Sequence, residues 1–395
     1  MTSPKKILLV EPPSKNTYPP LGLMKIATYH KLKGDKVYYI YGMDKWYMSE
    51  FWDAIYISST FTYDFNNLIK TVKFYSNNLF NYRNIKIGGV APTLLADQVE
   101  ALTGIKPHLG TLDKYDEFLF RIGKKEKWAS NLISDKYQPC IDMLPPDYSI
   151  FGNESRYDKI LKNAYILYST KGCPNRCPFC AVHILEPEFI DYIPISPRIE
   201  YISKKYGERG GMLFLDNNIA ASKEYYHIID EIKDLGFYKD SKYQNKKRFV
   251  DFNQGIDGRI LDEGKIKKIS EICIDPLRIA FDDLNMKRFY IRTMTQAIHH
   301  GINKLSNYIL YNYKDKPIDL YKRLRITIDL NEKYNAKIFS FPMKFIPLMA
   351  KDRSFTGQHW EKRQIRAIQI ILNVTKGIVS GRRDFFEHAF GHDEY

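Results

Sequence analysis

Residues 164–183 read AYILYSTKGCPNRCPFCAVH. The first seven, Ala164 to Thr170, are apolar, aromatic or small and read as a buried strand. That strand runs directly into Cys173, Cys177 and Cys180, spaced C-x3-C-x2-C. Thiolates are soft ligands that suit zinc or an iron–sulfur cluster. A structural zinc site is normally closed by a fourth Cys or His, and His183 is near enough in sequence to serve. A [4Fe–4S] cluster normally takes four cysteines, so three would leave one iron open. Cys140 and Cys273 lie far away and suit small buried hydrophobes. An odd cysteine count with three clustered argues against a disulfide framework and for a reducing compartment.

After this loop, strand-like and helix-like segments alternate. Strands are expected at GMLFLDNN (211–218), RFVDFNQ (248–254), PLRIAFDD (276–283), SNYILYNY (306–313) and AKIFSFPMKF (336–345), with amphipathic helices between them. With the opening strand this makes six, the count of a partial (β/α)6 barrel, whose site lies where the loops gather at the carboxyl ends of the strands. Before the loop, KILLV (6–10), KVYYIYG (36–42), DAIYISST (53–60) and NIKIGGV (84–90) alternate with helix candidates, the pattern of a parallel doubly wound sheet. CIDMLPPDYSIFGNESRYDK (140–159) reads as a linker. The expected organisation is an α/β domain with its linker at 1–150, a barrel at 151–350 and a helical extension at 351–395, in which Ile365, Ile368, Ile371 and Leu372 form one apolar side. That helix is expected to pack at the barrel mouth.

A chain of 395 residues with 44% hydrophobic and 14% aromatic residues supports well-packed cores, and no segment reaches the length of a membrane span. The start, MTSPKKILLVEPPSK, has too short an apolar run for a signal peptide, so a cytoplasmic location is expected. A formal charge of +14 favours nucleic acid, nucleotides or an acidic redox partner, or simply reflects solvated lysines. The densest basic stretches are SKYQNKKRF (241–249) and EKRQIR (361–366). The pair His299-His300 diverges on a helix, and His388 and His392 are spaced for a metal but read more simply as solvated residues.

The C-x3-C-x2-C loop, with Phe179 just before its last cysteine and leaving the first strand of a six-strand series, resembles the radical S-adenosylmethionine (SAM) superfamily over residues 164–350. The resemblance implies a [4Fe–4S] cluster on Cys173, Cys177 and Cys180. It also implies SAM on the open iron, with reductive cleavage to a 5′-deoxyadenosyl radical and a reducing partner such as flavodoxin or ferredoxin. Phe179 would then lie against the cofactor. Where the family commonly has Gly-Gly-Glu, this chain has Asp216-Asn217-Asn218. Asp216 and Asn217 are therefore expected to hold the SAM amine, Asp216 alternatively capping a turn. In FNQGIDGRIL (252–261), which resembles the family's third-strand segment, Gln254, Asp257 and Arg259 are expected to meet SAM, ribose or substrate, with Gly255 and Gly258 allowing close approach. In LRIAFDD (277–283), Asp282 is expected to contact SAM or substrate, unless Arg278, Asp282 and Asp283 form an internal salt bridge. Asp257 and Asp282 are the candidate catalytic residues.

The segment PPLGLMKIATYHKLKGDKV and the pair Gly88-Gly89 resemble a flavodoxin-like cobalamin-binding domain. The pattern Asp-x-His-x-x-Gly that supplies a lower axial ligand is absent. A degenerate, cobalamin-binding-like domain is expected, and cobalamin is not. Together with the tail KDRSFTGQHWEKRQIRAIQIILNV, the layout resembles the queuine lyases, which would make the substrate a deazaguanine base and the reaction C–N cleavage in queuosine salvage. Two alternatives stand beside it: a radical SAM methyl- or methylthiotransferase acting on RNA or a small molecule, and a non-catalytic basic nucleic-acid-binding module with structural zinc.

Overall fold

The computed structural model describes residues 3–113, 140–152 and 155–392. β1 (Lys6–Glu11) is buried almost throughout. Its Leu8 and Val10 pack with Trp52, Phe65, Leu68 and Val72, while Ile7 and Leu9 pack with Leu23, Ile26 and Ala27 of the helix Leu21–Leu32. A strand apolar on both faces belongs at the centre of a parallel sheet covered on both sides. β1 indeed pairs in parallel with β2 (Lys36–Tyr41) and β3 (Ala54–Ser58), and β4 (Ile85–Gly88) adds to β3. The order β2-β1-β3-β4 is flavodoxin-like.

The second unit is an arc of six parallel strands. β5 (Ala164–Leu167), β6 (Gly211–Phe214) and β9 (Phe249–Phe252) form one sheet. β10 (Leu277–Ala280), β11 (Leu305–Tyr311) and β12 (Ile338–Lys344) form another. Ile256, just past β9, joins them: its N–H donates to the Arg278 carbonyl at 2.8 Å and its carbonyl accepts from Ala280 N–H at 3.1 Å. Val250, Phe252, Leu277, Ile279, Leu305 and Ile309 share one core with helix residues such as Ile228, Ile266, Met294 and Leu324. Because strand side chains alternate, Asp251, Arg278, Ser306, Tyr308 and Phe341 face the inside of the arc.

The strand expected at 248–254 is present as β9, and the basic stretch before it holds a further element. There β7 (Lys242–Tyr243) and β8 (Lys246–Lys247) form a hairpin, turned by Gln244 and Asn245, both at positive φ. It precedes β9, so its exposed lysines sit at the amino ends of the strands, away from the cysteine loop. The apolar face of the helix Lys362–Val374 is buried as expected, but on the barrel's flank. There Val379 pairs antiparallel with Ser340 of β12, and Arg383 bridges Asp329 and Glu332 of the helix Pro317–Tyr334. The expected place at the mouth is taken by the segment before that helix. Gly357 N–H donates to Asn312 Oδ1 at 2.7 Å and Trp360 Nε1 to the Asp315 carbonyl at 2.9 Å. No helix among the described residues is long and apolar enough to cross a membrane.

The two units are tied by a buried ion cluster. Asp142 lies between Lys171 of the barrel, at 3.0 Å, and Lys25 of the first helix, at 3.6 Å. Lys171 also reaches Glu186 at 3.7 Å. Burial pushes the Asp142 carboxyl up, but the charges of Lys171 and Lys25 outweigh it and hold the group well below its ordinary value of 3.8. Burial pulls Lys25 down to about 8. Removing the shared carboxylate leaves buried Lys25 without its charged partner and Lys171 with the more distant Glu186. Asp142→Asn is therefore expected to lower stability by about 3–5 kcal/mol in denaturant titrations near neutral pH. A depressed carboxyl stabilises above its unfolded pKa and loses that contribution as pH falls through the folded one. The gap between wild type and variant should therefore narrow as titrations move below about pH 4.

Candidate active site

β5 ends where the cysteine loop begins, and several supports hold that junction. Asp216, two residues past β6, is 1% exposed. It accepts from Ser169 N–H (3.0 Å to each oxygen), Ser169 Oγ (2.5 Å), Thr170 N–H (2.6 Å) and Thr170 Oγ1 (2.8 Å). Lys171 pairs antiparallel with Ile190, returning the chain beside its own entry. Glu186 accepts from Gly172 N–H at 2.7 Å and from Asn217 Nδ2 at 2.8 Å. Asn175, within the loop, donates to Asp257 Oδ2 at 3.0 Å. Gly172 has φ +73°, and a Cβ there would stand 2.2 Å from the Glu188 carbonyl oxygen.

Two residues expected to meet SAM, Asp216 and Asn217, are engaged here by the protein itself. Asp216 is enclosed and spends its carboxylate on Ser169 and Thr170, and Asn217 is turned to Glu186. Both sets of contacts help to place the loop. The residue missed is Asn218, 2% exposed, whose Nδ2 lies 3.6 Å from Cys173 Sγ. The sequence signal was present in the run Asp-Asn-Asn, but nothing in it tells which of the three side chains turns towards the cysteines.

Across the loop, Asp257 holds Arg259 through both carboxylate oxygens, at 2.8 and 2.7 Å, besides receiving Asn175. Burial pushes Asp257 up, yet the Arg259 bonds prevail and keep it below the usual range. Gln254 stands exposed at the end of β9. Asp282 lies beyond β10, near enough for its charge to raise the Cys177 and Cys180 thiols, on which burial is the larger influence. Burial pushes Asp282 itself up to about 6 against the opposing charges of Arg323 and Arg259. Its main chain is fixed by Arg323, fully buried, which donates to the Asp282 carbonyl at 2.7 Å and the Leu310 carbonyl at 2.7 Å. Asp283 caps the turn Leu284–Met286. The internal salt bridge is made by Arg278 with Asp251 of β9, at 2.7 and 2.8 Å, and not with Asp282 or Asp283. Phe179 packs edge-on against Tyr313, which leads on to Phe345 and Phe355.

Among the described residues no three His, Cys, Asp or Glu side chains converge closely enough to hold a single metal ion. A cubane asks for something different, one thiolate per iron, and the loop offers three part-exposed thiols at the barrel rim. The donor set therefore fits a [4Fe–4S] cluster with one iron left open. Cys140 and Cys273 are buried free thiols.

No protein-family model and no curated protein matches the chain. Solved structures do. OxsB, a cobalamin-dependent S-adenosylmethionine radical enzyme with aqua-cobalamin and S-adenosylmethionine bound, aligns with TM-score 0.55 and 15% identity over 96% of this chain and 57% of its own. The radical S-adenosylmethionine methyltransferase TsrM from Kitasatospora setae, with tryptophan and a SAM analogue bound, aligns with TM-score 0.58 and 11% identity over 86% of this chain and 72% of its own. The fold is that of the cobalamin-dependent radical SAM enzymes. The chain spans little more than half the length of OxsB.

That likeness weakens the expectation, drawn from the missing histidine motif, that cobalamin plays no part here. The strand ends of the first unit carry several side-chain contacts among the described residues. His108, beside Gly88, engages the Thr111 carbonyl through Nε2 at 2.5 Å. The facing ends are crossed by the chain's own side chains. Asn253 Nδ2 donates to Tyr18 hydroxyl at 2.9 Å, Arg156 Nη2 to the Ser14 and Asn16 carbonyls, and Lys351 and Arg353 lie over Phe65 and Tyr63. Among the described residues, these side chains occupy the strand ends at which such a fold binds its ligands.

Gly172→Ala tests the loop's dependence on its supports. The added methyl has to displace the 186–188 backbone, so iron and sulfide content after anaerobic reconstitution should fall severalfold while far-UV circular dichroism stays unchanged.

Proposed function

We propose that this chain is a radical SAM enzyme acting on a small planar heteroaromatic substrate. The observation that carries the reading is the C-x3-C-x2-C loop, pinned at the carboxyl end of the first strand of a six-strand open barrel. A [4Fe–4S] cluster on Cys173, Cys177 and Cys180 would bind SAM and, given an electron from a flavodoxin- or ferredoxin-like partner, supply a 5′-deoxyadenosyl radical. The chain's own residues do the rest. Asp216, Glu186 and Asp257 hold the loop in place, Arg259 sets positive charge beside Cys177, and Phe179 and Tyr313 keep water from one side. Inside the arc, Tyr308 and Phe341 flank Arg278, with ring centroids 5.7 and 5.3 Å from a guanidinium already paired with Asp251, and the two rings offer aromatic surface suited to a heterocycle.

The narrower reading is queuine lyase chemistry, cleavage of the C–N bond that joins the cyclopentenediol to 7-aminomethyl-7-deazaguanine. It is supported by Asp282, whose pKa of about 6 suits a proton donor to a departing amine. The test is to incubate the reduced, reconstituted protein with SAM and queuine and to follow 5′-deoxyadenosine and the released base by mass spectrometry. Both products are expected, and Cys173→Ala should abolish both. Only protonated Asp282 can donate, so turnover should fall as pH rises through about 6, and Asp282→Asn should be slower by about 10²–10⁴-fold with that limb missing. 5′-Deoxyadenosine without the base would keep the radical chemistry and discard the lyase.

Methyl transfer is the second reading, favoured by the likeness to TsrM. It calls for cobalamin held without a protein ligand. Titration with aqua-cobalamin, followed by its visible spectrum, decides between them: no spectral change favours the lyase, and tight uptake the transferase.

A further inference from the structure

Asp216, Asn217 and Asn218, which lie just past β6, point their side chains to three different places. Asp216 faces the end of β5, Asn217 faces Glu186, and Asn218 faces a cysteine of the loop. The first two are satisfied by protein partners. Asn218 is not: its Nδ2 stands 3.6 Å from Cys173 Sγ, and its Oδ1 is buried with no hydrogen-bond partner. A buried amide oxygen without a partner costs about 1–3 kcal/mol, and the chemistry of the sulfur decides which end of the amide can face it. Turning the amide over would aim the carbonyl oxygen at a sulfur that becomes anionic once it ligates iron, placing two acceptors face to face. The N–H is the one end of the amide that can face a thiolate. The backbone holds it there, because the Asn218 carbonyl accepts from Ala221 N–H at 3.2 Å in the turn that leaves β6.

We propose that Asn218 tunes the reduction potential of the cluster by donating an N–H···S hydrogen bond to the Cys173 thiolate. Each electron added to a cluster increases the negative charge on its sulfurs, so a donor stabilises the reduced form and raises the potential. Asn218 is a positioning and tuning residue, not a catalytic one, since it acts through a ligand of the cluster. The inference rests on the reading of the cysteine loop as a [4Fe–4S] site.

The experiment compares the full-length wild type with Asn218→Leu, which keeps the shape and removes the donor, and Asn218→Asp, which also adds a negative charge. Each is reconstituted anaerobically at pH 8, assayed for iron and sulfide, and titrated with dithionite under electron paramagnetic resonance without SAM. The expected result is near-equal iron content and a midpoint moved to more negative potential. For Asn218→Leu the shift corresponds to about a tenfold change in the one-electron equilibrium, about 59 mV, and for Asn218→Asp it is larger. An unchanged midpoint in an Asn218→Leu protein with full iron content overturns the inference. So does loss of iron in both variants, which would make Asn218 a scaffold for the loop. A wild type that takes up no iron overturns the cluster reading itself.

Discussion

A single carboxylate decides where the cysteine loop of this molecule sits. Asp216 receives two amides and two hydroxyls from Ser169 and Thr170, so the end of one barrel strand is clamped to the end of its neighbour. Everything downstream inherits that register: Gly172 turns at positive φ because the chain has to pass close to residues 186–188, and the cysteines follow. Burying a carboxylate is unfavourable unless its oxygens are satisfied, and here they are satisfied by the very backbone they position. The clamp and the loop are one construction.

Much of this was legible in the sequence. β1 and the six barrel strands announce themselves as apolar runs, and the C-x3-C-x2-C spacing singles out its loop because few other chemistries need three thiols so close together. The first unit's parallel sheet follows from the alternation of strands and helices, but its strand order does not. What could not be read was direction. Asp216, Asn217 and Asn218 are adjacent polar residues of similar size, and their separate duties depend on the twist of the backbone after β6. Arg278 and Asp282 looked equally available for one salt bridge. The pleat sends Arg278 into the arc towards Asp251, while Asp282 stands beyond the strand, where Arg323 fixes its main chain.

The same limit applies to contacts between units. Lys25, Asp142 and Lys171 are far apart in sequence, and none carries a motif. Together they form a charge cluster that links the first helix to the residue next to Gly172. The flavodoxin-like unit thus bears directly on the cysteine loop. Tyr18, at the strand ends of that unit, extends the coupling to Asn253 at the barrel mouth.

An open barrel has two edges, and the tail attends to one of them. Val379 makes a pair of main-chain hydrogen bonds with Ser340, at 3.0 and 2.8 Å, and Ile365, Ile368 and Leu372 fold down on the adjoining flank. A bare outer strand recruits strands from other molecules. Val379 and the buried face of the helix Lys362–Val374 cover part of that outer strand, so less of its main chain is left to pair with another molecule.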